Sequence, residues 1–343
     1  MIRSASRLLL PLIVTALAVV GCGGASDTVG GSSGSSGSGG TKLSLVAYST
    51  PQVVYDQVIP AFEKTPQGKD VSFTQSYGAS GDQSRAVEAG QKADVVAFSL
   101  APDIDRLVDA GLVAQDWAAN KHNGFVSNSV VSFVVRKGNP KNIHSWADLL
   151  KPGVKVLTPN PFTSGGAKWN LMAAYGAKLK LGQSKAQALD YIRKLLTEHV
   201  SVQDKSGRES LQTFLNGNGD VSISYENEAI TAQQKDADVD YVIPDQTILI
   251  QNPVAVTKSA KPQASAFVKY LWSTPAQKAF ASHGYRPVEK SVAQESASKF
   301  PTPKQLFTID DLGGWSKVND EFFDPTSGSV AKIEQDAGVS TEK

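Results

Sequence analysis

A single cysteine, Cys22, excludes a disulfide framework and a thiolate metal site from this 343-residue chain. Histidine is also scarce. His122, His144, His199 and His283 lie far apart, with no i, i+4 pair and no cysteine beside them, which argues against a metal cluster. Nor is there a basic excess: 34 Lys and Arg stand against 33 Asp and Glu, and without Arg3 and Arg7 of the N-terminal segment the ratio is 32 to 33. That balance leaves no electrostatic footprint for nucleic acid or an anionic membrane surface. No G-x-x-x-x-G-K-[ST] loop occurs, and no nucleophile elbow joins a strand to a helix. Ser296 and Lys299 match S-x-x-K by letter only, in a polar Ala/Ser-rich run. Asp103, Asp105 and Asp109 read as the solvated face of a helix. Enzyme chemistry has no foothold in this inventory, and no cofactor is implied.

What is present begins with a targeting signal. Arg3 and Arg7 precede an apolar run from Leu8 to Val20, too short for a membrane span, and Val19-Val20-Gly21-Cys22 follows. The small residues before a lone cysteine predict a lipoprotein signal peptide over 1–21, with Cys22 as the lipidated first residue. A Gly/Ser tether over 22–41 then predicts a domain held at the extracytoplasmic face of a membrane. The remainder, in a chain of 41% hydrophobic and 20% charged content, suffices for two lobes of roughly 100 to 150 residues.

From Leu43 onward the pattern is strand, tight turn, helix, repeated, as in parallel sheets covered by helices. Strands are expected at Leu43–Ala47, Val71–Gln75, Asp94–Phe98, Val130–Val135, Val154–Leu157, Val200–Gln203 and Val221–Tyr225. Helices are expected at Gln52–Lys64, with Thr50 as its cap, then at Asp82–Ala89, Pro102–Asp109, Trp169–Leu179, Lys185–Glu198, Glu209–Leu215, Pro262–Trp272 and Pro275–Ser282. A loop at His122–Asn128 is expected to carry the first crossing between lobes, and the return falls near Ile248–Gln251. This places residues 42–128 and 249–343 in one lobe and 129–248 in the other.

Four strand-to-helix turns share one chemistry: Ser49-Thr50, Gly78-Ala79-Ser80-Gly81, Ser164-Gly165-Gly166 and Ser206-Gly207. Each offers a hydroxyl, a bare backbone N–H, or both, at the start of a helix, where the first donors have no internal partner and negative charge is attracted. In open α/β sheets ligands collect beyond the carboxyl ends of the strands, so all four turns can face one cleft. Several neutral donors meeting there can hold a small oxyanion with no lysine or arginine touching it.

Read together, Gln75-Ser76-Tyr77-Gly78-Ala79-Ser80-Gly81, Arg136-Lys137-Gly138-Asn139-Pro140, the run from Asn160 to Asn170, Glu226-Asn227-Glu228-Ala229 and Tyr285-Arg286-Pro287 resemble the sulfate-binding proteins of bacterial sulfate ABC importers. The resemblance runs from about Leu43 to Trp315. It implies a two-lobed periplasmic-binding-protein fold of type II, closing over one sulfate and serving, as a monomer, the permease of an ABC importer. It further implies that sulfate is held by the backbone of Ser49, the hydroxyl of Ser80, the hydroxyl and N–H of Ser164, and the N–H groups of Gly165, Gly166 and Gly207. Tyr225 stands where that family has a tryptophan whose indole reaches sulfate, and a phenol can accept as well as donate. The other reading is a tethered sensor or scavenger of another oxyanion such as thiosulfate, molybdate or phosphate.

Overall fold

The computed structural model describes residues 40–341. The expected signal peptide, Cys22 and all but the last two residues of the expected tether lie outside the described residues. Thr41, counted with the tether on composition, already opens the first strand, and its N–H donates to Asp70 O at 2.8 Å.

Eleven strands among the described residues join in one sheet. They are β1 Thr41–Tyr48, β2 Val71–Gly78, β3 Val95–Ala97, β4 Phe125–Arg136, β5 Val156–Leu157, β6 Val200–Val202, β7 Val221–Tyr225, β8 Val239–Val242, β9 Gln246–Val256, β10 Arg286–Pro287 and β11 Gln305–Phe307. The order is β2-β1-β3-β9-β4-β7-β5-β6, with β8 and β10 paired to β4 and β11 paired to β9. Strands β1, β2 and β3 run parallel at one end, and β5, β6 and β7 do so at the other. The helices are α1 Gln52–Glu63, α2 Ser80–Glu88, α3 Ala101–Asp109, α4 Gly165–Lys180, α5 Lys185–Lys194, α6 Gly207–Leu215, α7 Glu226–Gln234, α8 Pro262–Leu271, α9 Thr274–Ser282, α10 Lys290–Glu295, α11 Gly314–Val318 and α12 Ser329–Asp336.

Side-chain period explains the layering. Along β1 the alternate residues Leu43, Leu45 and Ala47 enter one core with Val54, Phe62 and Phe267, while Val46 enters another with Val87 and Ile104. Helix α1 buries Val54, Tyr55, Val58, Ile59 and Phe62, a stripe at three- and four-residue spacing. At the other end of the sheet Phe133, Trp146, Trp169, Met172 and Tyr175 share a larger core, as the helical spacing of the last three suggests.

The two halves are joined by β4 and β9, which pair antiparallel and each feed both cores. Val126 and Val254 belong to the first, whereas Val131, Phe133, Ile248 and Ile250 belong to the second. The expected crossing loop at His122–Asn128 is corrected here: from Phe125 the chain is strand. Its Ser127, Asn128 and Ser129 read as loop residues because they are polar, yet they lie between two cores and their backbone is satisfied by pairing with Asn252, Gln251 and Ile250 of β9.

The C-terminal stretch also departs from expectation. Residues assigned with the first lobe return to the second core: β11 pairs parallel with Gln246–Ile248, and Phe307, Ile309, Val318, Phe322, Phe323 and Val330 are buried there. Phe307 lies against α4 at Gly176, where a Cβ would stand 2.2 Å from its ring. Tertiary packing, not chain order, decides the tail's place.

Candidate functional site

The four donor turns open α1, α2, α4 and α6, and they converge. Between the halves of the sheet lies a cavity of about 270 Å³ walled by Ser49, Ser80, Ser164, Gly166, Gly207 and Tyr225. Six of the seven residues expected at the site therefore meet there; Tyr48, Thr50, Ser99, Ser206 and Glu228 complete much of the wall. The seventh, Gly165, sits one residue back, packed so closely on Ser99 and Leu100 that a Cβ would come within 2.6 Å of Leu100. The enclosed part of this space is small and suits a small ion. None of the lining residues is a lysine, arginine or histidine.

Each turn is built so that polar groups face inward. Ser164 occupies the N-cap position of α4, yet its hydroxyl makes no capping bond and is free for another acceptor. Ser206 does cap α6, accepting from Glu209 N at 3.2 Å while its own N–H donates to the Glu209 carboxylate. That locked cap sets the start of α6, with Gly207 as its first residue. A Cβ on Gly207 would stand 3.2 Å from Glu228 Oε2, so the absent side chain keeps the cavity open.

Several donors are already engaged, which the sequence did not show. Ser164 N–H donates to Asn160 O at 2.9 Å, so of the two groups expected from this residue the hydroxyl is the one available. Ser80 Oγ donates to Asp103 Oδ2 at 2.5 Å and accepts from Ser99 N at 2.9 Å. Asp103 is therefore corrected from solvated-face residue to buried partner of the site; Asp105 and Asp109 do lie on the exposed face. Its position four residues before buried Leu107 was the available signal. Thr50 does not cap α1 but pairs its hydroxyl with Tyr285 Oη at 3.1 Å.

Closure of the two halves over the cavity is made by direct bonds. Gly81 N donates to Thr163 O at 3.1 Å, Tyr225 Oη and Ser99 Oγ are 2.7 Å apart, and Trp169 Nε1 donates to Ser99 O at 2.9 Å. Behind the cavity Arg286 grips buried Glu226 through two bonds of 2.6 and 3.1 Å. Burial pushes the Tyr225 phenol well above its ordinary value, with the neighbouring Tyr48 phenol adding to the rise and Ser99 opposing it. Tyr225 is thus a neutral hydroxyl at any working pH.

Residues 43–286 match the bacterial extracellular solute-binding protein family. The chain belongs to this family. The binding protein is 41% identical over 332 residues to a sulfate-binding protein of Synechococcus elongatus, covering 94% of this chain and 93% of that one. A sulfate-binding protein of Escherichia coli K12 is 41% identical over 298 residues, 82% of this chain and 90% of its own. Among solved structures, the sulfate-binding protein SubI of Mycobacterium tuberculosis H37Rv superposes with a TM-score of 0.81 at 48% identity, covering 83% of this chain and all of that one. The fold is accordingly the type II periplasmic-binding-protein fold that the resemblance implied. These relatives are binding proteins, and the chain is a binding protein rather than an enzyme. No helix among the described residues is long and apolar enough to cross a membrane.

Proposed function

We propose that this chain is a lipid-anchored receptor that captures inorganic sulfate outside the membrane and delivers it, as a monomer, to the permease of an ABC importer. The carrying observation is the convergence of four helix starts on one small cavity whose wall has hydroxyls and glycine backbone but no basic side chain. Such a wall favours an anion through helix-end donors and dipoles rather than a counter-charge. The two halves of the sheet serve as lobes, with β4 and β9 as the paired crossings. The names of the relatives above support sulfate as the ion, and Val19-Val20-Gly21-Cys22 with the Gly/Ser stretch supports the anchor.

The test is calorimetric titration of the full chain in detergent against sulfate, thiosulfate, molybdate and phosphate. Sulfate is expected to bind at least tenfold tighter than the others, and a clear preference for another anion would replace it as the ligand. For the anchor, Cys22→Ala is expected to move the protein from the membrane fraction to the soluble fraction, or to block its processing. Recovery of the variant in membranes at the mature mass would remove Cys22 from that role.

A further inference from the structure

The carboxyl ends of β1 and β2, at Tyr48 and Gly78, reach the cavity wall. Their amino ends form the opposite edge of this half of the molecule. Thr41 pairs there with Val71 of β2, Leu45 with Val95 at the start of β3, and Val95 with Val256 at the end of β9. Through Gly40 and Thr41, on this same edge, the chain arrives from the expected tether.

Four segments meet at the edge and bring six exposed lysines. Lys42 is the second residue of β1, Lys64 closes α1, and Lys69 lies two residues before β2; Lys92 lies three before β3, Lys258 two after β9, and Lys261 caps the start of α8. Backbone bonds join the segments: Thr41 N donates to Asp70 O at 2.8 Å, Thr257 N to Asp94 O at 3.1 Å, and Lys261 Nζ to Lys42 O. Carboxylates do not match this charge. Asp94 is buried, accepts from Ser44 N and Lys261 N at 2.7 and 2.9 Å, and has Lys261 Nζ at 3.6 Å. Asp70 is the exposed carboxylate within these segments, and Glu63, just before Lys64, is half-buried. Lys42, Lys64, Lys69, Lys92 and Lys258 stand in no ion pair among the described residues.

We propose that this lysine edge is the face on which the anchored domain rests against the anionic headgroups of its own membrane. The inference builds on the lipid-anchor reading. A Gly/Ser-rich stretch of the 17 residues between Cys22 and Gly40 has a root-mean-square reach of about 20–25 Å, so the edge it joins is the part of the domain held nearest the bilayer. A lysine near an anionic leaflet gains about 1 kcal/mol, within a Debye length of about 8 Å at physiological salt. Resting on this edge places the cavity about 25 Å away along the eight residues of β1, roughly three Debye lengths from headgroups that would repel an anion. The expectation that charge balance leaves no footprint for an anionic membrane is corrected here. The lysines come from segments up to 219 residues apart, and only the fold gathers them.

The test uses the full chain as isolated from membranes, reconstituted in vesicles of phosphatidylcholine alone or with phosphatidylglycerol added. A short pulse of N-hydroxysuccinimidyl acetate labels accessible lysines, and mass spectrometry reads each one. On anionic vesicles the six edge lysines are expected to react at least about threefold more slowly than on neutral ones, and about 1 M salt to remove the difference. Lys185 and Lys332, exposed on the other half, should react equally on both. Lys69→Glu, Lys92→Glu and Lys258→Glu together should abolish the protection of Lys42 and Lys64 and leave sulfate affinity unchanged. Equal labelling of a chain that floats with both vesicles overturns the inference and leaves the anchor standing, and so does undiminished protection in the triple variant. A chain that floats with neither overturns the anchor and this inference together. Protection by soluble polyglutamate, with none on anionic vesicles, would give the face to an acidic protein and overturn the lipid. Should the triple variant fail to fold, the wild-type labelling decides alone.

Discussion

Tyr225 Oη and Ser99 Oγ, 126 residues apart in sequence, meet at 2.7 Å across the cleft. The bond commits the Tyr225 hydroxyl to closure of the cavity wall. Tyr225→Phe leaves Ser99 without its partner, and loss of a net hydrogen bond of about 0.5–1.5 kcal/mol corresponds to a roughly two- to tenfold weaker sulfate affinity. The same change removes a phenol lone pair that could receive the proton of hydrogen phosphate. The ratio of sulfate to phosphate affinity should therefore rise. Competition titrations check both; equal ratios in the two proteins would leave Tyr225 with no part in selectivity.

Ser164 is a cleaner probe, because its hydroxyl does not cap α4. A hydrogen bond to a charged group contributes about 1.5–3 kcal/mol, so Ser164→Ala should weaken sulfate binding roughly ten- to a hundredfold with little change in melting temperature. Ser206→Ala should do the opposite in stability, costing about 1 kcal/mol through the lost cap of α6. Parallel titration and thermal unfolding of the two variants distinguish ligand from cap. Unchanged affinity in Ser164→Ala would take that hydroxyl out of the site.

Gly176 lies inside α4, where a glycine ordinarily costs about 0.5–1 kcal/mol against alanine. Here the sign should reverse. The added Cβ would stand 2.2 Å from the Phe307 ring, and overpacking of a buried contact costs about 1–3 kcal/mol. Gly176→Ala is thus expected to destabilise, and Gly176→Ala with Phe307→Leu to recover part of the loss. Urea unfolding of both measures it. A stabilised single variant would show that the C-terminal stretch does not dock on α4.

Glu334 of α12 is buried with one carboxylate oxygen bonded to Gln203 at 2.9 Å and the other without a partner. Burial raises this carboxyl, with Gln203 opposing. A carboxyl raised in the folded state contributes most below its unfolded value of about 4.3, and that contribution is lost as pH rises through the folded value. Glu334→Gln should therefore match the wild type near pH 4 and exceed it in stability near pH 7. Thermal unfolding across that range checks the crossover; a gap independent of pH would mean that Glu334 is not neutralised by burial.

The helix starts were legible because their cause is local. Serine and glycine after a β-branched strand, before an apolar-periodic run, favour opening a helix with bare donors, and α4 and α6 begin at those glycines, four and two residues before the expected starts at Trp169 and Glu209. The continuity of β4 through Ser127, Asn128 and Ser129 was not legible, since polar residues in a strand depend on a partner strand for their warrant. The C-terminal docking carried only a faint signal, the aromatics Phe307, Phe322 and Phe323 in a polar surround.

By itself the sequence determined which groups could face an anion, for capping chemistry, glycine and strand period act over a few residues. Only the tertiary structure decided which of those groups are free. Whether Ser80 donates its hydrogen bond to a ligand or to Asp103, and whether the Tyr225 hydroxyl pairs with an anion or with Ser99, turns on partners 23 and 126 residues away. Each hydroxyl has one hydrogen to donate, and the packing of distant elements assigns it.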